Sequence, residues 1–116
     1  MRVRLIDFCH GRSGDKGDAA NVGIIAYNTA GFQYISNILT EQFVKNYFEG
    51  VCFGDVQRYE LPNIHALNFI LNNTLGGGGT VSLKLDAQGK TLAAALLRLE
   101  VELSEAQFKE FTKNKE

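Results

Sequence analysis

The stretch from Gly11 to Gly23, GRSGDKGDAANVG, constrains this chain more than any other. Four glycines, an arginine, a lysine, a serine, an asparagine and two aspartates fall inside it. Its flanks, MRVRLIDFC and VGIIAY, each read as a strand. Two strands can be joined by a handful of residues and a turn. A connection this rich in charge and glycine is costly to order unless it binds something or ties itself into hydrogen bonds.

The rest of the chain is punctuated clearly. Met1–Cys9 alternates and reads as a strand, residues 10–19 as a charged glycine loop, and Asn21–Tyr27 as a short apolar strand covered on both faces. Asn28–Gly31 (NTAG) has turn chemistry. Apolar residues recur at helical spacing over Phe32–Glu49, and Gly50 ends that helix. Cys52–Leu61 alternates again and stops at Pro62, with Gly54 marking a bulge or a close approach. Asn63–Leu75 reads as a second helix capped by Asn63. After four glycines, Gly76–Gly79, come a strand at Thr80–Leu85, a turn at Asp86–Gly89 and a helix at Lys90–Leu99. A peripheral tail, 104–116, opens with a capping box, Ser104 to Gln107. The order β–β–α–β–α–β–α does not alternate strictly. It predicts an α+β domain, an antiparallel sheet with helices packed on one face, as in a ferredoxin-like sandwich.

At 116 residues the chain is read as one domain. Lys and Arg number 12 against 13 Asp and Glu, so no basic excess points to nucleic acid. No apolar run reaches the ~18–20 residues of a membrane span, and the N-terminus lacks the apolar core of a signal peptide. Two cysteines, Cys9 and Cys52, fit a reduced cytoplasmic protein; buried apolar packing, a disulfide and a catalytic thiol are their three readings. With only His10 and His65 beside them, no metal site and no cofactor are expected.

Chemistry concentrates where glycine meets charge. Gly14 and Gly17 free backbone N–H groups to face an anion, and Arg12 and Lys16 supply a planar fork and a point charge. Ser13 and Asn21 add neutral polar groups. The offset between Gly11 and Lys16, and the strand that follows, exclude a nucleoside triphosphatase loop. Asp15 and Asp18 are readable as a general base, as metal ligands, or as turn caps paired with Arg12 and Lys16. His10 enters the same loop and suits proton transfer, so Asp15 and His10 are the catalytic candidates. Gly76, Gly77, Gly78 and Gly79 mark either a hinge or a close backbone approach to a ligand or subunit. Lys90, at a helix start, is a further anion contact.

The run HGRSGDKGDAANVGI (His10–Ile24) resembles the signature R-S-G-D-K-G-x-x-x-N-V-G of the acyclic terpene utilisation protein A (AtuA) family's small C-terminal domain. YELPNIHALN (Tyr59–Asn68), the glycine run after Leu75, and SLKLDAQGKTLAAALL (Ser82–Leu97) resemble that family's later motifs, in order. The resemblance implies a ferredoxin-like fold and a free-standing small domain whose partner is a larger AtuA-type N-terminal-domain protein. It implies an accessory role in a catabolic enzyme complex of the acyclic terpene and acyl-CoA type. Homo-oligomerisation is expected on a separate ground, because small α+β domains of this size often self-associate through a sheet. It carries over no catalytic residues. A structural oligomerisation domain without ligand, and a stand-alone enzyme using the His10–Asp18 loop, are the competing readings.

Overall fold

The computed structural model describes residues 1–16, 19–74 and 90–113, with the backbone alone at 15, 16, 90 and 91. Among the described residues four strands form the main sheet: β2 (Cys9–Lys16), β3 (Ala19–Ala26), β4 (Val56–Leu61) and β5 (Ala66–Leu71). They lie in the order β2-β3-β5-β4, antiparallel throughout. A two-stranded ribbon pairs β1 (Arg2–Arg4) with β6 (Glu100–Glu102). The helices are α1 (Thr29–Ile38), α2 (Glu41–Tyr47), α3 (Lys90–Leu97) and α4 (Glu105–Thr112).

Helices cover one face of the main sheet. α1 packs on β3, α2 on β4, and α3 on β2 and β3. Alternation sorts the side chains accordingly. Ala20, Val22, Ile24 and Ala26 of β3 meet the helices and are buried, as are Leu67, Phe69 and Leu71 of β5. The core extends through Phe8, Ile35, Leu39 and Leu96. α4 packs against α1 and sends Phe111 into that core, with its ring 5.5 Å from Phe8 and 5.2 Å from Tyr34.

Four expectations change. Residues 10–16 are a strand rather than a loop: β2 stands at the edge of the sheet with a close-packed helix on one face and no described element on the other. Met1–Cys9 is broken by a 3-10 turn at Leu5–Asp7. The helix expected over Phe32–Glu49 starts earlier, at Thr29, and is split at Leu39–Thr40. Asn28 caps the first half by accepting from Gly31 N at 2.9 Å, and Thr40 caps the second by accepting from Phe43 N at 3.1 Å. Asn63–Leu75 is not a helix: Pro62–Ile64 forms a 3-10 turn, His65 takes a left-handed φ of 57°, and β5 follows as a central strand. Gly50 takes φ 86° in the turn beyond α2, which itself ends at Tyr47 with Phe48 as its C-cap, and Ser104 and Gln107 form the capping box. The strand at Thr80–Leu85 and the turn at Asp86–Gly89 lie outside the described residues.

The outer edge of β4 is occupied by the chain itself. Arg58 N donates to Glu41 Oε2 at 2.8 Å. The Arg58 guanidinium reaches the Ser36 and Leu39 carbonyls at 2.7 and 2.9 Å and Glu60 at 2.7 Å. It satisfies carbonyls that the end of α1 leaves without partners.

Candidate functional site

The second face of the sheet carries no helix among the described residues. Register fixes what stands on it. One row across the strands reads Arg12, Gly23, Asn68, Tyr59; the next reads His10, Ile25, Ala66, Leu61; the third reads Gly14, Asn21, Ile70, Gln57. Together with Ile64 of the 3-10 turn, these rows, Tyr59 and Gln57 apart, line a concavity of about 870 Å³.

Its rim is apolar and exposed: Leu61 is 44 % and Ile64 56 % accessible. Its centre is polar. Among the described residues, Arg12, Asn21 and Asn68 make no side-chain hydrogen bond or ion pair with the protein. A guanidinium offers five donors in a fixed fork, and a carboxamide both donates and accepts. The arrangement can hold a planar anion with an apolar body beside it. His10 lines the same concavity, with its ring 6.2 Å from that of Tyr27.

The sequence-predicted residues divide by strand parity. His10, Arg12, Gly14 and Asn21 come together on the open face. Ser13 points the other way, where its Oγ accepts from Ala93 N at 3.2 Å and fixes the start of α3 against β2. Gly17, Asp18, Gly76, Gly77, Gly78 and Gly79, and the side chains of Asp15, Lys16 and Lys90, lie outside the described residues. Gly23 and Asn68 belong to the same concavity, and Tyr59 stands beside it in the same row, but in the sequence they stand out only as motif matches. The register of β3, β5 and β4 is what aligns them with Arg12. No cluster of three His, Cys, Asp or Glu able to hold a metal occurs among the described residues. Nor is any described helix long and apolar enough to cross a membrane.

The cysteines sit on the covered side, free and buried. Burial pushes the Cys9 thiol up from 9.0 to about 12. An unfolded thiol ionises first, so this group withdraws stability as pH rises from 9.0 toward about 12 and contributes its full effect below that window. A reactive thiol is a thiolate. Cys9 is therefore expected to resist iodoacetamide in the folded protein near pH 8 and to react readily in guanidinium, as peptide mapping by mass spectrometry would report. Fast native labelling at Cys9 would contradict its placement.

No curated protein and no solved structure matches the chain. The family model described as the AtuA ferredoxin-like domain matches residues 3–102. That span takes in the whole main sheet and the face on which Arg12, Asn21, Gly23 and Asn68 meet, and the chain belongs to the AtuA ferredoxin-like domain family.

Proposed function

We propose that this domain is an accessory part of a catabolic enzyme complex, of the acyclic terpene and acyl-CoA type, and that the open sheet face is its working surface. It engages a larger chain there, of the kind its family resemblance implies, and holds an anionic ligand at Arg12. One observation supports the reading above the others: among the described residues the sheet is layered on one side only, and the other side centres a guanidinium without a side-chain partner in an apolar-rimmed concavity. Exposed apolar side chains scattered singly need no explanation, but a contiguous group around convergent polar groups is the usual form of a binding site.

The test is capture of the partner from the native lysate by the tagged protein, identified by mass spectrometry. A large AtuA-type protein should be recovered with wild type and fall about tenfold or more with Arg12→Ala. Arg12 is exposed, so the variant should melt within a few degrees of wild type. Equal recovery with Arg12→Ala overturns the reading, and so does recovery of the chain alone.

A further inference from the structure

Gly23 is the residue that neither fold nor packing explains. It lies in the middle of β3, in register with Arg12 of β2 on one side and Asn68 of β5 on the other. Glycine weakens a strand interior, and where it persists it commonly marks close approach of a ligand or of another backbone. Its backbone is not left-handed; among described glycines only Gly50 has positive φ. Crowding does not exclude a side chain either. A Cβ at Gly23 would meet Asn68 Oδ1 at 3.7 Å, the Arg12 carbonyl at 3.9 Å and the Leu67 carbonyl at 4.0 Å, all ordinary contacts. Gly11 and Gly54 differ: a Cβ at either would lie 2.8 Å from a backbone oxygen.

The missing side chain leaves a socket. Arg12 and Asn68 face each other across it, two strand spacings apart, roughly 9–10 Å between backbones. Asn21 stands on the diagonal. We infer that this Gly23-floored socket binds an amphipathic monocarboxylate, with the carboxylate between Arg12, Asn21 and Asn68 and the hydrocarbon over Ile25, Ile70, Leu61 and Ile64. This deepens, and rests on, the reading of the open face as the working surface.

The chemistry selects the class. A planar carboxylate takes two parallel N–H bonds from a guanidinium, and carboxamide N–H groups complete its lone pairs. Arg12 is a permanent cation among the described lining residues, and its planar fork matches the two oxygens of a carboxylate. Ile25 and Ile70 flank the socket along β3 and β5, and Leu61 and Ile64 extend the apolar wall outward. A neutral molecule of the same length would leave the guanidinium and carboxamides without partners. A short acid would leave the apolar wall wet.

Titration of the protein with octanoate, octanol and acetate, followed by amide correlation NMR, tests this. Octanoate should give saturable shifts at Gly23, Ile25 and the Asn68 side-chain amide. Octanol and acetate should bind at least about tenfold more weakly. Gly23→Val fills the socket and should abolish the octanoate shifts with melting temperature retained. Should that variant fold poorly, Arg12→Gln, a change at an exposed side chain, must give the same loss. Equal binding of octanoate and octanol overturns the inference, as do absent octanoate shifts or wild-type affinity in Arg12→Gln. The two readings fail separately. Absent octanoate binding with an Arg12-dependent partner removes the ligand class alone. Octanoate binding with a partner indifferent to Arg12→Ala removes the docking role alone.

Discussion

Replacing Asn28 with alanine is expected to cost about 3 kcal/mol of folding stability, more than the loss of an ordinary helix cap. The side chain is buried and works at both ends. Its Oδ1 accepts from Gly31 N and caps α1, while Nδ2 donates to the carbonyls of Glu110 and Lys113 at 2.8 and 3.2 Å at the end of α4. Alanine removes one cap and strips two carbonyls of a donor at once. Asn28→Asp separates the roles: it keeps an acceptor at α1, where negative charge is favoured, but faces the two carbonyls with no donor. We expect Asp to recover no more than about 1 kcal/mol of the loss. Urea denaturation followed by circular dichroism, at unchanged m-value, measures both. Full rescue by Asp would show that the link to α4 contributes nothing. The link matters because α4 lies beyond residues 3–102, the part that matches the family, yet supplies Phe111 to the core.

Gly11→Ala should destabilise by about 2–3 kcal/mol, while Gly23→Ala in the facing strand stays within about 0.5 kcal/mol of wild type. A Cβ at Gly11 would lie 2.8 Å from the Gly23 carbonyl and 3.3 Å from both Ile24 Cδ1 and Leu97 Cδ1. The isoleucine and leucine tips can yield by a rotamer. The carbonyl belongs to the sheet, so β2 must shift from β3 or lift against α3. Reduced freedom of the unfolded chain returns under about 1 kcal/mol, too little to compensate. Equal melting temperatures for the two variants would refute the close approach of β2 and β3 at Gly11.

The same pair of glycines explains what the sequence revealed and what it hid. Local signals with a local cause were legible: the Ser104–Gln107 capping box, the left-handed Gly50, and the close approach at Gly54, where a Cβ would strike the Asn72 carbonyl at 2.8 Å. β2 was read as a loop because its glycines have non-local causes. Gly11 admits a strand and helix distant in sequence, and Gly14 opens on empty space. β5 was read as a helix because Ile70 on the bare face and Phe69 on the covered face make an apolar run without strict alternation, a pattern that periodicity alone cannot resolve. The exposed apolar wall that makes the face useful is thus what disguised its strand. Arg12, Gly14 and Asn21 were found from residue type. Gly23, Asn68 and Tyr59 required the cross-strand register, which no single segment encodes.

The contact of Glu41 with the Arg58 backbone N–H bears on how copies of this protein can meet. A fibre built by strand addition needs two receptive borders on every molecule, so that each arrival leaves a fresh template. Here a carboxylate occupies the middle of one border, and a newcomer would have to displace it from the Arg58 N–H. Among the described residues of the main sheet, the other border is β2. Two molecules joined through β2 would turn their Glu41-occupied borders outward.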